Sequence, residues 1–167
     1  MDWVTFIVQW LHVLLGIVWF GTVLYGALIL IPAISTMPLE RQRDVGAAIG
    51  RQGEKVIRPV AIGVIVLGII RGTVLGPVDE LGITSAYGLT WLVSLIVAIG
   101  AYVWGERVVV ASIGRMNAIP AAEAVGPDGQ PTPVLVEAID RVKRVAVLEL
   151  GFFFVIFTGM ILMRFGL

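Results

Sequence analysis

A single histidine, His12, stands inside an apolar run from Trp3 to Ile31, and no Asp, Glu, Lys or Arg occurs between Asp2 and Glu40. A bilayer is crossed by about 20 apolar residues, so this imidazole reads as an intramembrane group. Such groups are costly in hydrocarbon and face a bundle interior, which makes each a functional-site hypothesis. Two chemistries fit a neutral imidazole there. It offers a ring nitrogen to a metal, foremost haem iron, or it hydrogen-bonds a neighbouring helix. Thr5, Gln9, His12, Gly16, Trp19 and Val23 advance by three or four residues and so share one helix face. On the metal reading, Gly16 leaves room for a macrocycle and Trp19 packs against its edge. On the other, Gly16 lets two helices approach closely. Spacing alone leaves both open.

Three further residues carry chemistry in apolar surroundings. Arg71, in Leu67–Gly68–Ile69–Ile70–Arg71–Gly72, is expected roughly 8 Å deep, and His12 roughly 13 Å deep from the same side, at 1.5 Å per helical residue. An arginine one step nearer the outside than a histidine ligand suits haem propionates, because guanidinium pairs with carboxylates through two hydrogen bonds. The competing reading has Arg71 snorkel to the headgroups. Glu149, about two turns inside the last apolar segment, is expected to be protonated or paired with Arg58 or Arg107. It is read first as a tie between helices, with proton exchange toward a quinone as the functional alternative. Met160 and Met163 share a face with Phe153 and Ile156; a thioether there is a conceivable second axial ligand or plain packing.

The rest of the chain supplies the elements that position these groups. Of its 167 residues 58% are hydrophobic and 14% charged, with a mean hydropathy of +0.97, far from the balance of a soluble domain. Twelve basic residues match twelve acidic ones, so no net basic field exists to hold nucleic acid. The absence of cysteine removes disulfides, iron–sulfur clusters and thiolate metal sites. The N-terminus lacks the basic region of a signal peptide, so the first helix is expected to remain in the mature protein. Four apolar segments, about 4–31, 56–75, 87–113 and 142–165, predict an all-α, integral membrane four-helix bundle forming one domain over 1–167.

Residues 32–55 and 114–141 form the long connections. In the first, Ser35–Thr36–Met37–Pro38 reads as a cap with an early proline, opening a polar helix that runs to about Lys55, along the membrane surface or into the second span. Pro59 is placed near the start of that span, where a missing amide donor is tolerated. The acidic connection Gly76–Gly82 is short, so the spans on either side are antiparallel neighbours. Gly126–Pro127–Asp128–Gly129 marks a turn-rich loop, and the pattern from Val134 starts the last helix before it enters the membrane. Ten of the twelve cations fall on the two long connections and their flanks. The positive-inside rule then puts both connections in the cytoplasm and both termini outside. The stripes Gly68–x3–Gly72–x3–Gly76 and Ser94–x3–Ala98–x2–Ala101–x3–Gly105 permit close helix contacts, within the bundle or in a homo-oligomer.

The pattern His12–x3–Gly16–x2–Trp19–x–Gly21 early in the first of four spans resembles the copper-resistance-D (CopD)-like family of small membrane proteins, and more distantly the HemJ-type membrane proteins, over about the first 30 residues. The resemblance implies haem b held through His12, with Gly16, Trp19 and Gly21 as packing elements. The expected function is therefore haem-linked electron transfer in the cell's inner (plasma) membrane, in or beside a respiratory-type complex, with quinone or other membrane subunits as partners. The alternatives are a non-catalytic structural or assembly subunit and a small metal-handling transporter. One histidine, five dispersed methionines and no cysteine make a poor path for a soft cation, which ranks the transporter last. No hydrolase spacing appears.

Overall fold

The computed structural model describes residues 2–127 and 129–167, so Asp128 of the turn-rich loop lies outside the described residues. The fold is all-α. Four long helices account for most of the chain: α1 (Trp3–Ile34), α2 (Leu39–Gly72), α3 (Ala86–Asn117) and α4 (Pro133–Arg164). Single helical turns at Val78–Leu81 and Ala121–Ala124 sit in the connections. By length and composition α1, α3 and α4 can each cross a membrane. Their outward faces fit that medium, with Ile17, Ile96 and Phe154 more than half exposed in the isolated chain. The molecule is accordingly a membrane protein.

Helix ends follow from local chemistry. Asp2 caps α1, its carboxylate accepting from the Val4 N–H at 3.0 Å and the Thr5 hydroxyl at 2.5 Å. The Thr5 hydroxyl first, and then the Val4 N–H, hold the Asp2 carboxyl below its ordinary value of 3.8. Ser85 caps α3 through its Oγ, which accepts from the Gly88 N–H at 3.0 Å. Pro133 occupies the first turn of α4, where a missing N–H has no consequence.

The first long connection departs from the sequence reading. Ser35 and Thr36 do not open a helix. Their hydroxyls donate back to the Pro32 and Ala33 carbonyls and so finish α1, and Pro38 takes the N-cap position of α2. From there the polar stretch and the apolar segment form one continuous helix, the extension into the second span that the sequence allowed, and Pro59 lies inside α2 where its apolar part begins. That position removes one main-chain donor from the helical ladder. Gln42, buried, ties the joint by donating to the Met37 carbonyl at 2.8 Å. Arg43 donates to the carbonyl of Ile119 and holds this end of α2 to the third connection.

Helix α1 packs along α2 and α3 along α4, with further contacts between α2 and α3 and between α1 and α4. At the centre Trp19, Ala61, Val64, Ala101 and Phe153 are buried against one another. The indole of Trp19 meets Phe153 edge-on, with ring centroids 4.9 Å apart, a favoured geometry for aromatic quadrupoles. Ala61 and Ala101 are almost fully enclosed, so small side chains on α2 and α3 admit the two large rings from α1 and α4.

Both α1 and α3 contain a π-helical turn, at Gly26–Leu30 and Gly105–Val109. An extra residue in a turn widens the helix locally, and such turns recur at functional positions. Both lie toward the end of the molecule that carries the long connections.

Candidate functional site

Two regions collect the polar groups, one on either side of the Trp19–Phe153 cluster. Toward the chain termini, His12 lies in the seam between α1 and α2. A carbonyl oxygen only accepts, so the 3.0 Å contact between Nδ1 and the Val64 oxygen is an Nδ1–H donation. This leaves Nε2 with its lone pair. The arrangement is the one in which a backbone carbonyl fixes the tautomer and orientation of a metal-ligating histidine. The ring rests on Gly68, where an added Cβ would stand 3.0 Å from Cε1.

The other expected members of this site are placed as follows. Gly16, one turn along from His12, has nothing within 4 Å of where a Cβ would project, and the same holds for the exposed Gly21. Trp19 is buried against Phe153 in the core. Arg71 donates from Nη1 to the Leu75 carbonyl at 2.8 Å, closing the end of its own helix. Its Nε is buried and has no partner among the described residues. Met160 is half-buried on α4, and no hydrogen bond joins it to His12. Of the expected set, His12 keeps a ring nitrogen without a hydrogen-bond partner and Arg71 an unpartnered Nε, while Trp19 is taken up by the core.

The stripe on α2 has two neighbours at once. Gly68 presents its Cα to His12 and its carbonyl to Trp91, whose Nε1 donates across 3.2 Å. Gly72 lies under the same indole, where a Cβ would stand 1.9 Å from Nε1. On α3, Ser94 fits against Gly159 of α4, and Trp104 donates to the Val145 carbonyl at 3.1 Å. Sequence reasoning missed the Trp91 and Trp104 ties. The signal was present, since an indole N–H inside a span needs an acceptor and only main-chain carbonyls are plentiful there.

Toward the long connections a cavity of about 520 Å³ opens between all four long helices. Its lining is largely apolar, with Trp19 and Ala61 at the core end and the small residues Gly46, Gly50 and Gly53 along α2. Glu149 reaches it from α4 and is 92% buried, with 8% of its surface exposed. Its Oε1 lies against the π-helical turn of α3, so close that a Cβ on Gly105 would stand 2.7 Å away. The expected pairing of Glu149 with Arg58 is not made. The Arg58 guanidinium is drawn to Glu106 at 2.6 Å and to Glu54, one turn back on its own helix, at 3.1 Å. Nor does Arg107 reach it, and among the described residues no side chain or main-chain group hydrogen-bonds the Glu149 carboxyl.

Fold and site define the class, an all-α membrane protein with an intramembrane histidine and a buried acid. The chain matches no protein-family model, no curated protein and no solved structure.

Proposed function

We propose that the protein is a haem b-binding, multi-pass membrane protein that passes electrons in or beside a respiratory-type complex, with quinone or another membrane subunit as its exchange partner. The observation that supports it is the Nδ1–H donation from His12 to the Val64 carbonyl, which orients the ring and reserves Nε2 for iron. Bound haem supplies a one-electron redox centre. His12 would hold the iron through Nε2, Gly16 and Trp19 would pack against the group, and Arg71, through its unpartnered Nε, would pair with a carboxylate of it. The Met160 thioether would be this chain's own candidate for a further ligand.

In this reading α2 is the fourth span despite Arg58 and Arg71 within its apolar half, which makes a four-helix bundle in the cell's inner membrane. The cation distribution supports a reading with the two long connections inside and both termini outside. His12 then lies in the outer half of the bilayer and Glu149 in the inner half.

A second reading has an observation of its own. His12, Trp91 and Trp104 each donate a ring N–H to a carbonyl on an adjacent helix, the ties a structural or assembly subunit needs. Absorption spectroscopy of the detergent-purified chain separates the two. Haem ligation predicts a Soret band that His12→Ala abolishes. A colourless preparation that co-purifies with larger membrane partners, or a Soret band that survives the substitution, refutes it.

A further inference from the structure

The inner cavity is the feature that the haem reading leaves unused. Its size lies within the range of small-molecule sites, which are mostly apolar with a few placed polar groups. Four acidic or basic residues line it, and they are unbalanced: Glu54, Glu106 and Glu149 against Arg58 alone. Arg58 is engaged by the first two. Glu149, a residue nine-tenths buried, is left lining the cavity with no hydrogen-bond partner for its carboxyl among the described residues. A buried polar group without a partner is destabilising, and a buried carboxylate is stabilised by a counter-charge within a few ångströms. Two aromatic rings, Trp19 and Tyr102, share the same lining, and aromatic faces attract cations.

We propose that this cavity binds an apolar organic cation, a hydrophobic ammonium or phosphonium compound, with Glu149 as the counter-ion and Trp19 and Tyr102 as its aromatic walls. The occupant's apolar body fills the space among the α2 glycines and the valine and isoleucine side chains around them. Its charge lies at the core end, where Glu149 meets the Gly105 turn. The π-helical turn serves this arrangement by bringing the small Gly105 opposite Glu149, which gives the carboxyl room. Gly46, Gly50 and Gly53 have nothing within 4 Å of where a Cβ would project, so the α2 wall is open by composition. The site does not rest on His12, and Trp19 is the one residue it shares with the haem reading, so the variants of the test fall on Glu149 and Gly53 instead.

The test is isothermal titration calorimetry of the full chain in detergent with two probes of similar shape, methyltriphenylphosphonium and neutral triphenylphosphine oxide. The cation is expected to bind and the neutral compound to bind at least about 10-fold more weakly, as expected for loss of a charge-assisted contact. Glu149→Gln should weaken the cation by about 10- to 100-fold and leave the neutral compound unchanged. Gly53→Leu, which adds bulk to the wall without a clash, should weaken both probes and keeps the test decisive if Glu149→Gln does not fold. His12→Ala should change neither. Equal affinity for the two probes, cation binding that survives both variants, or no binding of either probe overturns the proposal.

Discussion

Gly72 leaves no room for a side chain beneath Trp91, and Gly72→Ala makes this contact a quantitative test of the fold. The added methyl would lie 1.9 Å from Nε1 of Trp91 and 2.5 Å from both Cδ1 and Cε2. The obstacle is a rigid indole, not the end of a flexible chain, so α3 must move or the ring must leave its rotamer. Overpacking of this kind costs about 1–3 kcal/mol. Displacing the indole also loses its 3.2 Å hydrogen bond to the Gly68 carbonyl, worth about 0.6 kcal/mol inside membranes. A mid-helix Gly→Ala change would return up to about 1 kcal/mol of helix propensity, but Gly72 is the last residue of α2 and gains little of it. The net expectation is a loss of about 2 kcal/mol, close to a 30-fold shift in the folded-to-unfolded ratio. Unfolding in mixed dodecylmaltoside–SDS micelles, followed by far-ultraviolet circular dichroism, measures it. In a Trp91→Ala background the same substitution should cost nearly nothing, because the two positions share one contact. Stability within about 0.5 kcal/mol of the parent, or an undiminished cost in the Trp91→Ala background, would show that α2 and α3 do not pack this way.

Gly16 and Asp2 give two further expectations. Gly16→Ala, in mid-helix with nothing within 4 Å of the new methyl, should stabilise the cofactor-free chain by about 0.5–1 kcal/mol in the same titration, while under the haem proposal it lowers the Soret absorbance per chain. Because the folded Asp2 carboxyl titrates below its ordinary 3.8, its capping contribution is complete above that value and is lost as pH falls through the lower, folded one. Amide exchange at Val4 and Thr5 should therefore accelerate in acid relative to the mid-helix amides, and Asp2→Asn should remove the pH dependence; an unchanged profile in Asp2→Asn would refute the cap.

What the sequence made legible is local. The apolar runs predicted the helices, since their length and composition answer to the bilayer and not to any neighbour. The register between helices is not local, and the site's partners follow from it. His12 could be read as an inward-facing group from its position, but nothing in residues 3–31 says that it meets Val64 and Gly68 on α2. Arg58 appeared free to meet Glu149, and it did not, because Glu54 lies one turn back on its own helix and Glu106 lies across the seam. The first connection was legible as a polar helix running along the surface or into the second span, and the structure takes the second course, as one helix through Pro59. The cavity was beyond reach, since it is the space left over when four helices meet at a particular register.

The Trp19–Phe153 cluster gives the two polar regions a physical separation that bears on what each can do. Counted along α1, His12 precedes Trp19 by seven residues, roughly 10 Å of helix rise. Counted along α4, Glu149 lies one turn from Phe153, on the side of the long connections. Between them stands the buried cluster of Trp19, Ala61, Val64, Ala101 and Phe153. Val64 belongs to both neighbourhoods, its side chain in the cluster and its carbonyl bonded to His12. An apolar layer of this kind strengthens charge interactions beside it. The two proposals, haem at His12 and an organic cation at Glu149, therefore concern groups on opposite sides of one apolar cluster.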